Sequence, residues 1–152
     1  MKCFSNINKK IIIKHQCGKN NFSYVHGLYK NVAIDVEVKD FYEDPESQIE
    51  WADFVVTRAG ALSISEISSM GKGMIMIPLP TSIDNHQFFN AKHIEDIKMG
   101  IIHLEKDGLN DLIEKMSEII NQKIYNDWKN GCSFDNSNAA SLISSKVIEH
   151  LT

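Results

Sequence analysis

The sequence has 152 residues, of which 43% are hydrophobic and 24% are charged, and its formal net charge is −4. These values are typical of one ordinary globular domain, and scattered lysines in a net negative chain argue against a nucleic-acid partner. No apolar run is long enough to cross a bilayer or to form the core of a signal peptide. The three cysteines are far apart and form no CxxC pair, which favours reduced thiols in a cytosolic chain.

Strands and helices alternate along the first third of the chain. Lys10–Lys14 is a short apolar run typical of a buried strand, and a loop follows it. Phe22–Lys30 has weak helical spacing, and Val32–Val38 begins apolar and then alternates like a strand with one wetter face. Pro45 opens a short helix that runs through Trp51, because proline is tolerated in the first turn of a helix.

The remainder of the chain continues this alternation. Asp53–Thr57 is a predicted strand, and the helix after it ends near Met70 with Gly71 as its C-cap. Met74–Leu79 is apolar on both faces, as in a parallel strand covered by helices. The other predicted elements are a helix over Asp84–Lys98, a strand over Gly100–Leu104, and amphipathic helices over Leu109–Lys129 and Asn136–Leu151. The alternation predicts an α/β fold with a parallel sheet.

The turn after the third predicted strand has the composition of a phosphate site. A helix that starts directly after a buried parallel strand points its free N–H groups at the carboxyl edge of the sheet, where they suit an anion. The small residues Ala59–Ala61 would let a ligand approach the backbone, and Ser63 and Ser65 offer hydroxyl groups. Arg58 could add a bidentate charge.

A purely structural role explains part of the same stretch. Ser63 and Glu66 have the spacing of a capping box, in which they would satisfy the first amides of the helix. Asp84 and Gln87 have similar spacing at the next predicted helix, so Gln87 could simply be a cap. The residues alone therefore leave both the ligand and the capping interpretation open.

Four blocks of sequence, taken in order, favour the ligand interpretation. They are HQCGKN (His15–Asn20), VKDFYEDP (Val38–Pro45), WADFVVTRAGALSISEISSMGKGMIMIPLP (Trp51–Pro80) and DNHQFFNA (Asp84–Ala91). In order and spacing they resemble the C-terminal half of the MurG family, the N-acetylglucosaminyltransferases of peptidoglycan synthesis. The resemblance implies the C-terminal domain of a GT-B glycosyltransferase. Such a domain is Rossmann-like, with helices on both faces of a parallel sheet, and it binds the donor UDP-N-acetylglucosamine (UDP-GlcNAc).

The resemblance also implies roles for individual residues. Tyr42 lies where the family uses backbone groups to read the uracil edge, and Ala61–Glu66 matches the segment around the ribose and diphosphate. Glu66 corresponds to the acid that accepts hydrogen bonds from the ribose hydroxyls. Gln87 lies where the family contacts the hydroxyls of GlcNAc, with Asn90 close behind. The expected donor-binding residues are Tyr42, Arg58, Ala61, Leu62, Ser63, Ile64, Ser65, Glu66, Gln87 and Asn90.

Parts of the family pattern have no match in residues 1–152. Neither the first strand of the family's C-terminal domain nor its glycine-rich loop is matched, so we expect a single, incomplete domain. The strands at Lys10–Lys14 and Asp53–Thr57 should then flank an open slot whose backbone groups tend to recruit a strand from a partner. The N-terminal acceptor domain is also unmatched, and no residue can be assigned as the catalytic base.

These observations predict the donor-binding part of an inverting transferase that adds GlcNAc to undecaprenyl-pyrophosphoryl-MurNAc-pentapeptide, converting lipid I to lipid II, with little turnover on its own. The alternatives are a non-catalytic nucleotide-sugar-binding subunit that needs a partner chain, an inactive remnant, and an α/β scaffold without a ligand. The expected partners are UDP-GlcNAc as substrate, a lipid-linked acceptor through the missing domain, and a complementing N-terminal chain. We expect no cofactor, and no metal site because His86 and His93 lack HxxxH or HExxH spacing. The expected location is the cytoplasm, with the cytoplasmic face of the inner membrane as the candidate place of action.

Overall fold

The computed structural model describes Ile7 and residues 9–130, in which strands and helices alternate. In chain order the elements are β1 (Ile12–Gln16), α1 (Phe22–Tyr29), β2 (Asp35–Lys39), α2 (Pro45–Trp51), β3 (Phe54–Thr57), α3 (Ala61–Ser69), β4 (Gly73–Met76), α4 (His86–Asp96), β5 (Gly100–Ile102), α5 (Gly108–Gln122) and α6 (Tyr125–Asn130). Short 3-10 turns at Ile83–Asn85 and Glu105–Asp107 precede α4 and α5. The predicted α/β fold is confirmed. Within the described range, no helix combines the length and apolarity needed to span a membrane.

The five strands form two parallel sheets. β1 pairs with β2, with Ile12 opposite Asp35, and β4 lies between β3 and β5 in the second sheet. Phe54 of β3 lies opposite Gly73 of β4, and Met74 lies opposite Gly100 of β5. Among the described residues no strand lies between β1 and β3, so each of these strands keeps a free edge.

Helices cover both faces of the β3–β4–β5 sheet. All four residues of β4 are buried, and successive side chains of a strand point to opposite faces. Met74 and Met76 therefore pack into one cluster with α3 and α4, whereas Ile75 packs into a second cluster with α5 and α6. The first cluster consists of Ala59, Ile64, Ile67, Met74, Met76, Ala91, Ile94 and Met99. The second consists of Ile75, Ile119 and Trp128.

Several element boundaries differ from those predicted. β2 begins at Asp35 instead of Val32, because the Val32 N–H closes a turn onto the Tyr29 carbonyl at 3.0 Å. The single helix predicted over Leu109–Lys129 is wrong: α5 ends at Gln122, and Lys123 adopts a left-handed conformation with φ 57° before α6 begins. The predicted helix over Asn136–Leu151 lies outside the described residues.

The break before α6 lets Trp128 pack closely against Gly73. A methyl group added at Gly73 would overlap the indole of Trp128, which is itself buried. We expect Gly73→Ala to lower the free energy of unfolding by about 1–3 kcal/mol, because overpacking a filled core forces neighbouring groups apart. Gly27→Ala is the control, since Gly27 lies in α1 with no atom within 4 Å of an added Cβ. It should leave stability unchanged or raise it by up to about 1 kcal/mol. Urea unfolding of both variants measures the difference, and equal effects would contradict the packing argument.

Candidate functional site

The helix α3 begins with three backbone amides that have no acceptor within the helix. Its N-cap is Gly60, which is extended at φ −68° and ψ 138° and makes no side-chain cap. The Ile64 N–H donates to the Gly60 carbonyl at 3.0 Å, which closes the first helical turn. The N–H groups of Ala61, Leu62 and Ser63 precede this bond, and all three residues are exposed. The positive end of the α3 dipole is thus open to an anion.

The capping-box interpretation of Ser63 and Glu66 is wrong. A capping box needs the serine at the N-cap. The N-cap of α3 is Gly60 and the helix begins at Ala61, so Ser63 is the third residue of the helix. Glu66 lies in the second turn, where it is exposed. In the described part of the chain, no hydrogen bond or ion pair involves its carboxylate. Glu66 can therefore accept hydrogen bonds from a ligand without giving up an internal contact.

The other residues around the start of α3 divide into buried anchors and exposed groups. Ala59 is fully buried, and Ile64 packs into the core cluster shared with α4. Leu62, by contrast, is 80% exposed, and Ser65 is also exposed. No atom lies within 4 Å of the position that a Cβ on Gly60 would occupy. The backbone at the N-cap is thus held in place from the core side and accessible from outside.

Arg58 is held at the same edge by contacts that span three strands. Its Nη1 donates to the Ile77 carbonyl at 3.2 Å and lies 2.5 Å from Glu105 Oε1. These residues follow β3, β4 and β5, so the contacts join the carboxyl ends of neighbouring strands. Glu105 was not among the predicted site residues, although its position directly after the last predicted strand was a signal. Because a guanidinium has five N–H donors, Arg58 keeps donors for a ligand.

Gln87 and Asn90 also make contacts within the chain. Gln87 Oε1 accepts from the Leu79 N–H at 3.0 Å, and Asn90 Nδ2 donates to the Ala59 carbonyl at 3.1 Å. Gln87 does not cap its helix, which contradicts the capping hypothesis: the N-cap of α4 is Asn85, in a left-handed conformation and without a side-chain cap. Asn90 links α4 to the turn before α3, and Gln87 fixes the loop after β4.

Tyr42 lies at the carboxyl edge of the other sheet, in the loop that follows β2. Its N–H donates to Gln16 Oε1 at 3.1 Å, and Lys39 Nζ lies 5.1 Å from the centre of its ring. The Tyr42 hydroxyl is a buried oxygen without a hydrogen-bond partner, and burial raises the pKa of this hydroxyl above its usual value. No described contact joins Tyr42 to the residues around α3. The structure therefore groups Arg58, the start of α3, Gln87 and Asn90, and places Tyr42 separately.

A buried histidine after β5 belongs to an ionic network. His103 Nδ1 lies 3.0 Å from Asp111 Oδ2, and Lys115 Nζ lies 2.8 Å from the same oxygen. His103, Asp107 and Asp111 are the group of described residues whose ligand atoms lie close enough to hold a metal ion, within 4.8 Å of one another. The Lys115 ammonium, however, already provides the cationic partner of Asp111. This network fixes α5 against the end of β5.

The network makes stability depend on pH through Asp111. Hydrogen bonds from Lys115 and His103 hold the pKa of the Asp111 carboxyl below its ordinary value of 3.8. A carboxylate whose pKa falls on folding stabilises the fold above the unfolded pKa and loses that effect as the pH falls through the folded value. We expect Asp111→Asn to lower the melting temperature at neutral pH, and the difference from wild type to shrink below about pH 4. Circular dichroism melts between pH 3 and 7 measure this, with Glu114→Gln, an exposed change on the same helix, as the control. A difference as large at pH 3 as at pH 7 would contradict the assignment.

Comparison with known proteins gives the family. Residues 1–146 match the model of the glycosyltransferase family 28 C-terminal domain. The chain belongs to glycosyltransferase family 28. Its match to the family's domain covers both sheets and the whole edge described above.

Two relatives of this chain share one description. A protein of Wolbachia sp. subsp. Drosophila simulans (strain wRi) is 41% identical over 116 residues, which are 76% of this chain and 34% of the relative. A protein of Coxiella burnetii (strain Dugway 5J108-111) is 39% identical over 99 residues, covering 65% of this chain and 28% of the relative. Both are described as UDP-N-acetylglucosamine--N-acetylmuramyl-(pentapeptide) pyrophosphoryl-undecaprenol N-acetylglucosamine transferase. The chain thus spans about a third of the length of the curated relatives it matches.

The fold of this chain is also seen in a solved structure. The crystal structure of Acinetobacter baumannii MurG superposes with a TM-score of 0.83 at 23% sequence identity. The superposition covers 97% of this chain and 44% of that one. It shows that both sheets of this chain are arranged as in a GT-B protein more than twice as long, as the sequence resemblance implied.

Proposed function

We propose that this chain is the donor-binding part of a GlcNAc transferase and that the start of α3 holds the diphosphate of UDP-GlcNAc. The observation that carries the proposal is the set of three uncapped amides at Ala61, Leu62 and Ser63, beside the open space at Gly60. Backbone N–H groups at a helix N-terminus favour phosphate through hydrogen bonds and the helix dipole. The described relatives act on a UDP-sugar, whose diphosphate has this chemistry.

The polar side chains around these amides suit the rest of the donor. The free carboxylate of Glu66 accepts hydrogen bonds from the vicinal hydroxyls of a ribose, and Ser63 and Ser65 offer donors alongside the diphosphate. Gln87 uses only its oxygen and Asn90 only its nitrogen in the described internal bonds. Gln87 Nε2 and Asn90 Oδ1 can therefore donate to and accept from the hydroxyls of a neutral sugar.

The same arrangement supports the transfer step. An acceptor hydroxyl attacks the anomeric carbon with inversion and gives up its proton to a base, the bond from that carbon to the diphosphate oxygen breaks, and UDP leaves with increased negative charge. Amides fixed at the start of a helix stabilise such a charge without having to reorient, and the remaining donors of Arg58 add to this field. No described residue is placed as the base. In this proposal the lipid-linked acceptor is bound by another part of the family protein, at the cytoplasmic face of the membrane.

Calorimetric titration tests the donor site directly. We expect UDP to bind more tightly than UMP, because the second phosphate reaches the α3 amides. We also expect UDP to bind more tightly than ADP, because groups other than these amides recognise the uracil base. Glu66→Gln should weaken UDP-GlcNAc binding by about 10- to 100-fold, the equivalent of losing a charged hydrogen bond worth about 1.5–3 kcal/mol. Glu114→Gln on α5 is the matched control. Equal binding of UDP, UMP and ADP would refute the proposal, as would equal effects of the two glutamate variants.

Substitution of Gly60, the N-cap of α3, is a second test, because it should raise stability and lower the affinity for UDP. Serine at the N-cap accepts a hydrogen bond from the first amides of a helix. Gly60→Ser should therefore raise the free energy of unfolding by a few tenths of a kcal/mol and weaken UDP binding, because its hydroxyl competes for the same donors. Gly60→Ala adds the Cβ without the hydroxyl, so it shows how much of any loss of affinity comes from steric blocking and how much from capping. Urea unfolding and titration with UDP measure the two effects; a stabilised variant with unchanged affinity would show that the diphosphate binds elsewhere.

A further inference from the structure

Arg58 and Glu105 form an ion pair at the edge of the sheet where the donor is proposed to bind. Arg58 Nη1 lies 2.5 Å from Glu105 Oε1, and the same nitrogen donates to the Ile77 carbonyl at 3.2 Å. The three residues follow β3, β4 and β5, so the side chain of Arg58 extends across the carboxyl ends of neighbouring strands. Both charged side chains remain half exposed, and the pair is therefore accessible to a ligand.

The backbone on the arginine side of this pair is fixed. The Ile77 N–H donates to the Thr57 carbonyl at 2.9 Å, directly before Arg58. Ala59, directly after Arg58, is fully buried, and its carbonyl accepts from Asn90 Nδ2 at 3.1 Å. The freedom that Arg58 retains therefore lies in its long side chain.

The backbone on the glutamate side is fixed as well. The His103 N–H donates to the Met76 carbonyl at 2.9 Å, which continues the pairing of β4 with β5. Two bonds then close the short turn that contains Glu105. The Asp107 N–H donates to the Leu104 carbonyl at 2.9 Å, and the Leu104 N–H donates to Asp107 Oδ2 at 3.3 Å. Glu105 therefore presents its carboxylate from a defined position.

The carboxylate of Glu105 determines how well the Arg58 guanidinium is ordered. A long arginine side chain loses much rotamer freedom when it is fixed. Without the carboxylate, the described contact that would remain is the 3.2 Å bond to the Ile77 carbonyl. Both contacts use Nη1, so the other N–H groups of the planar guanidinium can still donate to a ligand. The ion pair thus orders Arg58 without using up its donors.

Glu105 also brings a negative charge to an edge that would receive a diphosphate. Because the Glu105 side chain is 45% exposed, solvent and salt screen the repulsion between the two anions. The ordering of Arg58 acts through direct contact and is not weakened by distance. Removal of the whole carboxylate should therefore weaken the binding of a diphosphate, whereas removal of its charge alone should not.

We propose that Glu105 is a positioning residue of the donor site, which holds the Arg58 guanidinium with donors free for the diphosphate and does not itself contact the nucleotide. The inference rests on the proposed function, because it needs a diphosphate bound at the start of α3. The alternative is a purely structural ion pair, and exposed pairs contribute little to stability. The two interpretations differ in what they predict for a ligand that lacks the diphosphate.

NMR titration of the 15N-labelled full chain with UDP and with uridine tests the positioning role. Glu105→Ala should weaken UDP binding about 3- to 10-fold, which is the cost of ordering one long side chain on binding, and leave uridine binding unchanged. Glu105→Gln keeps an oxygen that accepts from Arg58 and removes the charge, so its UDP affinity should match or exceed that of wild type. Glu114→Ala, which removes an exposed acid on α5, is the control and should change neither affinity.

A double-mutant cycle shows whether Glu105 acts through Arg58. Arg58→Ala should weaken UDP binding about 10-fold or more. Adding Glu105→Ala to this variant should cause no further loss, because no guanidinium is left to position. The guanidinium also reports without any ligand: the order parameter of the Arg58 Nε–H should fall in Glu105→Ala and stay near the wild-type value in Glu105→Gln.

Several results would overturn the positioning role, and one of them would also remove the donor site. If Arg58→Ala weakens UDP binding and Glu105→Ala does not, Glu105 positions nothing and the donor site stands. Equal losses of UDP and uridine affinity in Glu105→Ala would show a structural pair, and additive losses in the double variant would show that Glu105 acts independently of Arg58. The role also fails if Arg58→Ala leaves UDP affinity unchanged. If the wild-type chain does not bind UDP, the proposed donor site fails and the positioning role fails with it.

Discussion

The proposed donor site depends first on the amides at the start of α3. A helix leaves its initial N–H groups without partners, and Gly60 at the N-cap has no side chain to accept them. The helix is held there by packing instead, because Ile64 and Ile67 are buried in the core that α3 shares with α4. Core packing thus fixes the position of three donors whose hydrogen bonds are left to solvent or to a ligand. A site built in this way is rigid before the ligand arrives.

The side chains around these donors are positioned by bonds that a ligand need not break. Arg58 reaches across to Glu105 and Ile77, Gln87 holds the Leu79 amide, and Asn90 holds the Ala59 carbonyl. Each of these side chains has further polar atoms that the described bonds do not use. Because the internal contacts restrict the rotamers in advance, less side-chain entropy is lost when a ligand binds.

The sequence predicted the elements better than their contacts. Pro45–Trp51 has the same bounds in the structure because proline marks the start of α2 locally. The S-x-x-E pattern misplaced the start of α3, since a capping signal cannot show that Gly60 occupies the N-cap. No glycine or proline marks the break at Lys123 in the sequence. The break accompanies the tertiary packing of Trp128 on Gly73. The pairing of Arg58 with Glu105, 47 positions apart, depends on strand order, which local patterns do not encode. Most of the candidate ligand residues came from the family resemblance.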